Sequence, residues 1–201
     1  MNKFSYINIR EYLVQNNIDE IGETDLEAVI SDFSCPQNLD VENFLKKRAI
    51  EFAKKNQSVT YLVFSNEDGN LVGYFTIAIK PLTIYADAMS NTAKRKIERI
   101  SKLDEETGTY TASSFLIAQL GKNFTDQANE KITGNELLDA AWSVVENLQY
   151  MAGGMVAFLE AEQKEKLLAF YRNNGFREFD IRRVSDENGE EHKLVQLLRF
   201  I

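Results

Sequence analysis

Residues 114–151 read SFLIAQLGKNFTDQANEKITGNELLDAAWSVVENLQYM. Five of the first seven residues, 114–120, are apolar, the density that a buried strand shows. Thirteen residues without clear periodicity follow, 121–133. Leu137, Leu138, Ala141, Val144, Val145 and Leu148 then recur at helical spacing, which predicts a helix opening at Gly134. A strand that feeds a helix through a loop leaves the first helical amides without intrahelical partners, at the positive end of the macrodipole. Loop 121–133 and Gly134 are therefore a candidate anion site. Thr133 and Glu136 also fit capping-box spacing, which the need to start a helix explains by itself. Glu136 sets a negative charge against any phosphate there.

Working outward, MVAFLEA (155–161) is a second buried strand, and QKEKLLAFYRNNG (163–175) is an amphipathic helix ending at Gly175. With Gly175 in the left-handed C′ position, Phe176 and Tyr171 become the C″ and C3 pair that touch in a Schellman motif. FREFDIRRV (176–184) and HKLVQLLRFI (192–201) read as closing strands joined across Asp186-Glu187-Asn188-Gly189. Upstream, 58–65 and 71–79 are β-branched and aromatic runs joined by Asn66-Glu67-Asp68-Gly69, an Asp-Gly hairpin signal, with Pro81 closing the second strand. A helix is expected at about 40–55, a short helical stretch at 7–14, and a strand or short helix at 26–33. Residues 90–106 read as charged and either helical or partly mobile, with a turn-rich approach over 107–113. Strands alternating with crossover helices define an α/β layered domain, with a mixed α+β sheet.

The chain has 201 residues, 44% of them hydrophobic, a size that suggests one domain over 1–201 with an insertion at 81–113. A single Cys35 cannot close an internal disulfide, and a single His192 cannot supply clustered zinc ligands, so no metal is expected. The opening MNKFSYINIREYLVQNN lacks the apolar core of a signal peptide, and no stretch approaches a membrane span; a cytoplasmic location without membrane association is the expectation. A formal charge of −8 counts against nucleic acid, whose affinity rests on Lys and Arg neutralising phosphate. The split is −2 over the first hundred residues and −6 over the rest.

The order of elements resembles the GNAT superfamily of N-acetyltransferases over roughly 26–201. LEAEQKEKLLAFYRNNGF (159–176) is similar to the family's second cofactor segment. YLVFSNEDGNLVGYFTIAIK (61–80), with Val72-Gly73-Tyr74, resembles its early hairpin. IAQLGKN (117–123) is similar to its central strand, with Gln119 where relatives carry Arg. The pyrophosphate signature Gln/Arg-x-x-Gly-x-Gly/Ala is degenerate, because Asn129 stands at its first position and Ile132 where a Gly is expected, leaving only Gly134. An Ile there must avoid the positive φ that Gly tolerates.

The resemblance implies a GNAT-like fold, with a mostly antiparallel central sheet and helices on both faces, that uses acetyl-CoA as co-substrate. It implies that Leu120 and Lys122 pair with the pantetheine arm and that Asn129, Lys131, Thr133, Gly134 and Asn135 lie at the pyrophosphate. Tyr171 takes the position of the family's acid toward the CoA thiolate, and Glu160 is the candidate base. Each has a plainer reading too: Tyr171 as a core aromatic, Lys131 as a solvated lysine, Glu160 as an ion-paired strand end. FSCPQNLDVENFLKKRAIEFAKKNQSVTYLVF (33–64) resembles the opening of the toxin-like branch that acetylates aminoacyl-tRNA, through Leu39, Asp40, Phe44 and Leu45. The negative charge ranks a small-molecule or protein amine first as acceptor and tRNA second. A non-catalytic acetyl-CoA-binding or interaction module stays open, as does a homodimer.

Overall fold

The computed structural model describes residues 2–13, 22–185 and 191–201. Its elements are, in order, β1 (Phe4–Asn8), α1 (Arg10–Leu13), α2 (Glu23–Ser31), α3 (Leu39–Lys47), α4 (Ala49–Lys54), β2 (Val59–Ser65), β3 (Leu71–Tyr85), a 3-10 turn (Ala86–Ala88), α5 (Asn91–Ile97) and β4 (Thr109–Lys122). A second 3-10 segment (Thr125–Glu130) leads to α6 (Gly134–Ala152), followed by β5 (Val156–Glu162), α7 (Glu165–Asn173), β6 (Arg177–Ser185) and β7 (Glu191–Phe200). The seven strands belong to one mixed sheet. β1/β2, β2/β3, β5/β7 and β6/β7 run antiparallel, whereas β4/β5 is parallel, through Phe115↔Ala157 and Leu116↔Phe158.

Two compact units divide the chain. The first comprises 1–78 and 117–144. Leu26, Ile30 and Phe33 from α2 and its exit join Val41, Phe44 and Leu45 from α3 in a core with Leu62 and Tyr74. The Tyr74 hydroxyl donates to the Val41 carbonyl at 2.6 Å, and the ring meets Phe33 edge to face at 5.2 Å between centroids. The closest approach falls at two glycines. A Cβ on Gly121 would lie 2.3 Å from Val41 Cγ1, and one on Gly73 would lie 2.8 Å from the Gly121 carbonyl oxygen. The second unit comprises 79–116 and 145–201. Leu82, Ile84, Ile97, Tyr110, Val156, Phe158 and Leu198 form its core.

Several boundaries differ from expectation. Pro81 does not end its strand, because the β2 pairing stops at Val59↔Ile77 and the missing N–H costs β3 no bond to β2 beyond that point. The carbonyl before it accepts from Ser114 Oγ at 2.7 Å, and β3 runs on to Tyr85. The approach over 107–113 is strand from Thr109, with Tyr110 and Ala112 alternating inward and Thr111 Oγ1 hydrogen-bonded to Thr83 Oγ1 at 2.9 Å. Only 91–97 of the charged segment is α-helix. The 40–55 helix breaks at Arg48 (φ −124°, ψ −28°). Val41, Leu45, Ala49 and Ala53 still face inward at four-residue steps, so periodicity alone does not reveal the break. Over 7–14 the helix is confined to 10–13, since Phe4–Asn8 pairs with β2 as an edge strand; Val14 lies outside the described residues, as does the turn at 186–189. Residues 26–33 are mostly helix. The 121–133 loop contains the 3-10 segment.

Gly121→Ala should lower stability by about 2 kcal/mol, the usual scale for overpacking. Combined with Val41→Ala it should cost less than the two single losses together, in urea unfolding; additive losses would show that the approach of α3 to β4 is not the constraint.

Candidate functional site

In the first unit the end of β4 is held by groups far away in sequence. Leu120 and Lys122 are half-buried strand residues. Asn123, 6% exposed, donates from its backbone N–H to the Val72 carbonyl at 2.9 Å and from Nδ2 to the Leu71 carbonyl at 2.9 Å. Its Oδ1 accepts from the backbone N–H groups of Ser34 at 3.0 Å and Thr125 at 3.1 Å. One amide side chain thus ties the start of β3, the exit of α2 and the loop after β4 together. Thr125 Oγ1 donates to the Asp32 carbonyl. Just beyond, Asp126 (φ 48°) and Gln127 (φ 60°) adopt two successive left-handed conformations that side-chain-bearing residues rarely take. Ile132 has no such strain: it is not among the positive-φ residues and is 1% exposed, so its side chain belongs to the core.

Asn129 and Lys131 are half-buried on the loop. The Lys131 ammonium pairs with Asp68 in the β2–β3 turn, and that hydrogen bond holds the Asp68 carboxyl below its ordinary value. Lys131 is therefore a partly exposed, ion-paired lysine rather than a free cation.

The capping box forms as the spacing predicts. Thr133 N–H donates to Glu136 Oε2 at 2.8 Å, and Glu136 N–H donates to Thr133 Oγ1 at 3.2 Å. Lys3 Nζ adds an ion pair to Glu136 Oε1 at 2.8 Å. That ion-paired hydrogen bond first, then the Thr133 amide, lowers the Glu136 pKa to about 2. The N-terminus of α6, with Gly134 and Asn135 as its first residues, thus carries an internal carboxylate. Gln119 Nε2 donates to Asp40 Oδ2 at 3.2 Å, which joins two residues singled out in separate stretches.

The second unit holds Tyr171 and Glu160. Phe176 N–H donates to the Tyr171 carbonyl at 3.1 Å and Gly175 N–H to the Arg172 carbonyl at 3.0 Å, with Gly175 at φ 84°; this is the expected Schellman closure. The Tyr171 ring stands edge-on to Phe170 and Phe176, at 5.0 and 6.0 Å between centroids. It is 8% exposed, and burial pushes its pKa up to about 12. Glu160 accepts from Gln196 Nε2 at 2.7 Å and pairs with Arg182 Nη1 at 3.1 Å, so its oxygens are engaged within the sheet. Among the described residues, no His, Cys, Asp and Glu group that could hold a metal ion gathers, and no helix is long and apolar enough to cross a membrane.

Asn123 and Lys3 were not singled out in sequence. An Asn closing a buried strand is a faint signal for the first; the Lys3 pairing, 133 residues distant, leaves none.

The mixed sheet, with its parallel β4/β5 pair followed by α7 and the antiparallel β6/β7 pair, has a GNAT-like fold. Solved structures that share it include AtaT complexed with acetyl-methionyl-tRNAfMet, with a TM-score of 0.62 and 17% identity over 96% of this chain and 93% of that one. A tyrosine-to-phenylalanine mutant of KacT has a TM-score of 0.61 and 20% identity, covering 96% and 95%. A tyrosine-to-phenylalanine mutant of the AtaT toxin, bound to the C-terminus of the antitoxin AtaR and acetyl-CoA, has a TM-score of 0.56 and 16% identity, covering 99% and 94%. At these identities the likeness is one of fold. No family model matches the chain, and no curated protein sequence does.

The Glu136 pairing has a defined pH signature. A carboxyl lowered by folding contributes stability that is present above its unfolded value and lost as pH falls from about 4.5 toward about 2. Glu136→Gln keeps an acceptor for the Thr133 amide but removes the charge facing Lys3 and the helix N-terminus, and should be less stable than the parent at pH 7 by about 0.5–1 kcal/mol. The gap should close in that acid window; a gap constant down to pH 2 would contradict the pairing.

Proposed function

We propose that this protein is an acetyl-CoA-dependent N-acetyltransferase. The observation that carries the reading is the fold, shared over nearly the whole chain with toxins one of which is held with acetyl-CoA. The passage from β4 through the strained loop to the capped start of α6 supports it. Acetyl-CoA would supply the acetyl group as a thioester.

The residues divide the work as follows. The backbone of Leu120 polarises the acetyl carbonyl and binds the oxyanion that develops on attack, and Leu120 and Lys122 hold the pantetheine arm. The loop from Asn129 through Lys131 and Thr133 to Gly134 and Asn135 holds the pyrophosphate. Ile132 fits this role, since it needs no positive φ and its side chain is buried. The capping box already engages the amides of Thr133 and Glu136, so the Gly134 amide is the principal donor, and the Glu136 charge weakens the site relative to a glycine-rich loop. A neutral amine attacks the carbonyl carbon, a C–N bond forms, and the C–S bond breaks. Tyr171, fully protonated at neutral pH, gives its proton to the departing thiolate. Glu160, whose oxygens are held by Gln196 and Arg182, would act through a water chain that it orders, which takes the proton from the ammonium.

The acceptor we favour is the amine of an aminoacyl-tRNA. AtaT complexed with acetyl-methionyl-tRNAfMet shares the fold, and Leu39, Asp40, Phe44 and Leu45 carry the resemblance to the toxin-like branch. A small-molecule or protein amine is the second reading. The first unit favours it with nine basic against sixteen acidic residues, a surface that attracts a cationic acceptor.

Acetyl-CoA at 100-fold over its Kd should raise stability by about 2.7 kcal/mol, read as a thermal shift. Tyr171→Phe should keep that shift while lowering thiol release with aminoacyl-tRNA by about 10²-fold or more. An unchanged kcat would remove Tyr171 from the chemistry. A shift without thiol release over aminoacyl-tRNA and an amine panel would favour a non-catalytic binding module, and no shift at all would contradict the cofactor reading.

A further inference from the structure

The charge of −8 is unevenly distributed. The second unit carries fourteen basic against fifteen acidic residues, so nearly all of the negative excess belongs to the first unit. Within the second unit, Lys94, Arg95, Lys96, Arg99 and Lys102 fall inside nine residues that contain one acid, Glu98. Arg95, Lys96, Arg99 and Lys102 are exposed and Lys94 is half-buried. Glu98 accepts from the Tyr110 hydroxyl at 3.0 Å. No ion pair to any of the five is found among the described residues, although many cations elsewhere are paired: Lys3, Lys46, Lys54, Lys131 and Arg182 each have a carboxylate. Lys96 Nζ instead sits over the Phe200 ring, 5.0 Å from its centroid.

Neighbouring acids do not remove the pattern. Asp104 is engaged in its own turn, accepting from the Glu106 and Thr107 amides at 2.9 and 3.3 Å, while Glu105, Glu106 and Asp87 are exposed. The helix dipole accounts for cations in the last turn of α5, but Arg99 and Lys102 lie beyond its end at Ile97. Unpaired like charges crowded on one short segment repel one another, and a polyanion would relieve that repulsion by releasing its counterions. Two arginines suit bidentate contacts to phosphate. Tyr85, 58% exposed at the end of β3 and six residues before α5, offers a face on which a base can stack.

We propose that residues 94–102, together with Tyr85, form a nucleic-acid docking surface that binds the phosphate backbone. It deepens the aminoacyl-tRNA reading and rests on it, placing the RNA contact on the unit that carries little net charge. Sequence is not read there; the contact is to phosphate.

The test compares the full chain with a variant carrying Arg95→Gln, Lys96→Gln, Arg99→Gln and Lys102→Gln, using labelled total tRNA and fluorescence anisotropy across a salt series. The parent should bind, and the variant should lose about tenfold or more in affinity, with the slope of log Kd against log salt reduced by about three to four. The acetyl-CoA thermal shift and the melting curve without ligand should match the parent. Equal tRNA affinity and slope in the two proteins would overturn the proposal. So would a parent that binds polyglutamate or anionic vesicles as tightly as tRNA. A parent that shows the acetyl-CoA shift but no tRNA binding overturns the docking surface and leaves the acetyltransferase reading standing. Intact tRNA binding without acetyl transfer has the opposite meaning.

Discussion

The first unit depends on the approach of α3 to β4 where Gly121 has no side chain. Val41 occupies the space that a Cβ would take, 2.3 Å from its Cγ1, and the Val41 carbonyl receives the buried Tyr74 hydroxyl. Close packing makes such a contact intolerant, since interiors have few voids into which a displaced methyl can move. Gly73 extends the same constraint to β3, where the Gly121 carbonyl is the limiting neighbour. With those backbones held, Asn123 closes the end of β4 by satisfying four backbone groups, and the following loop starts from a defined point. The candidate cofactor segment is thus placed by packing and by one amide side chain rather than by a glycine-rich sequence.

Electrostatics at the start of α6 follow from the same economy of parts. A helix N-terminus favours negative charge, and here Glu136, from its own first turn, already supplies it, with Lys3 in support. A pyrophosphate would share that positive end with an internal carboxylate. The arrangement predicts weaker cofactor affinity than the dipole alone would give. It also links the N-terminal strand region, through Lys3, to the helix that would hold the cofactor.

Much of the architecture was legible in the sequence because period and punctuation agreed. The run 114–120, the apolar positions of 137–148 and Gly175 with Phe176 each signalled an element that formed. The Schellman contact and the capping box followed from local rules, and both are local in the structure. What escaped is non-local. Pro81 looked like a strand end because the end of the β2 ladder before it could not be foreseen. The Phe4–Asn8 strand owes its conformation to pairing with β2. Asn123 and Lys3 act over tens of residues or more. Whole-chain charge misled in a similar way: cutting the sequence at residue 100 assigned the negative excess to the C-terminal half, whereas the fold regroups it into the first unit. Ile132, suspect from its position in a degenerate motif, turned out to serve the core.

In the proposed site, the end of β4 and the start of α6 cradle acetyl-CoA. Amide hydrogen exchange, with and without saturating acetyl-CoA, tests this placement most directly, because it reads the backbone donors themselves. Bound acetyl-CoA should slow exchange at Leu120 and Lys122 and at Gly134 and Asn135, with 94–102 unchanged. Protection elsewhere with these amides unaffected, or no protection at all, would contradict it.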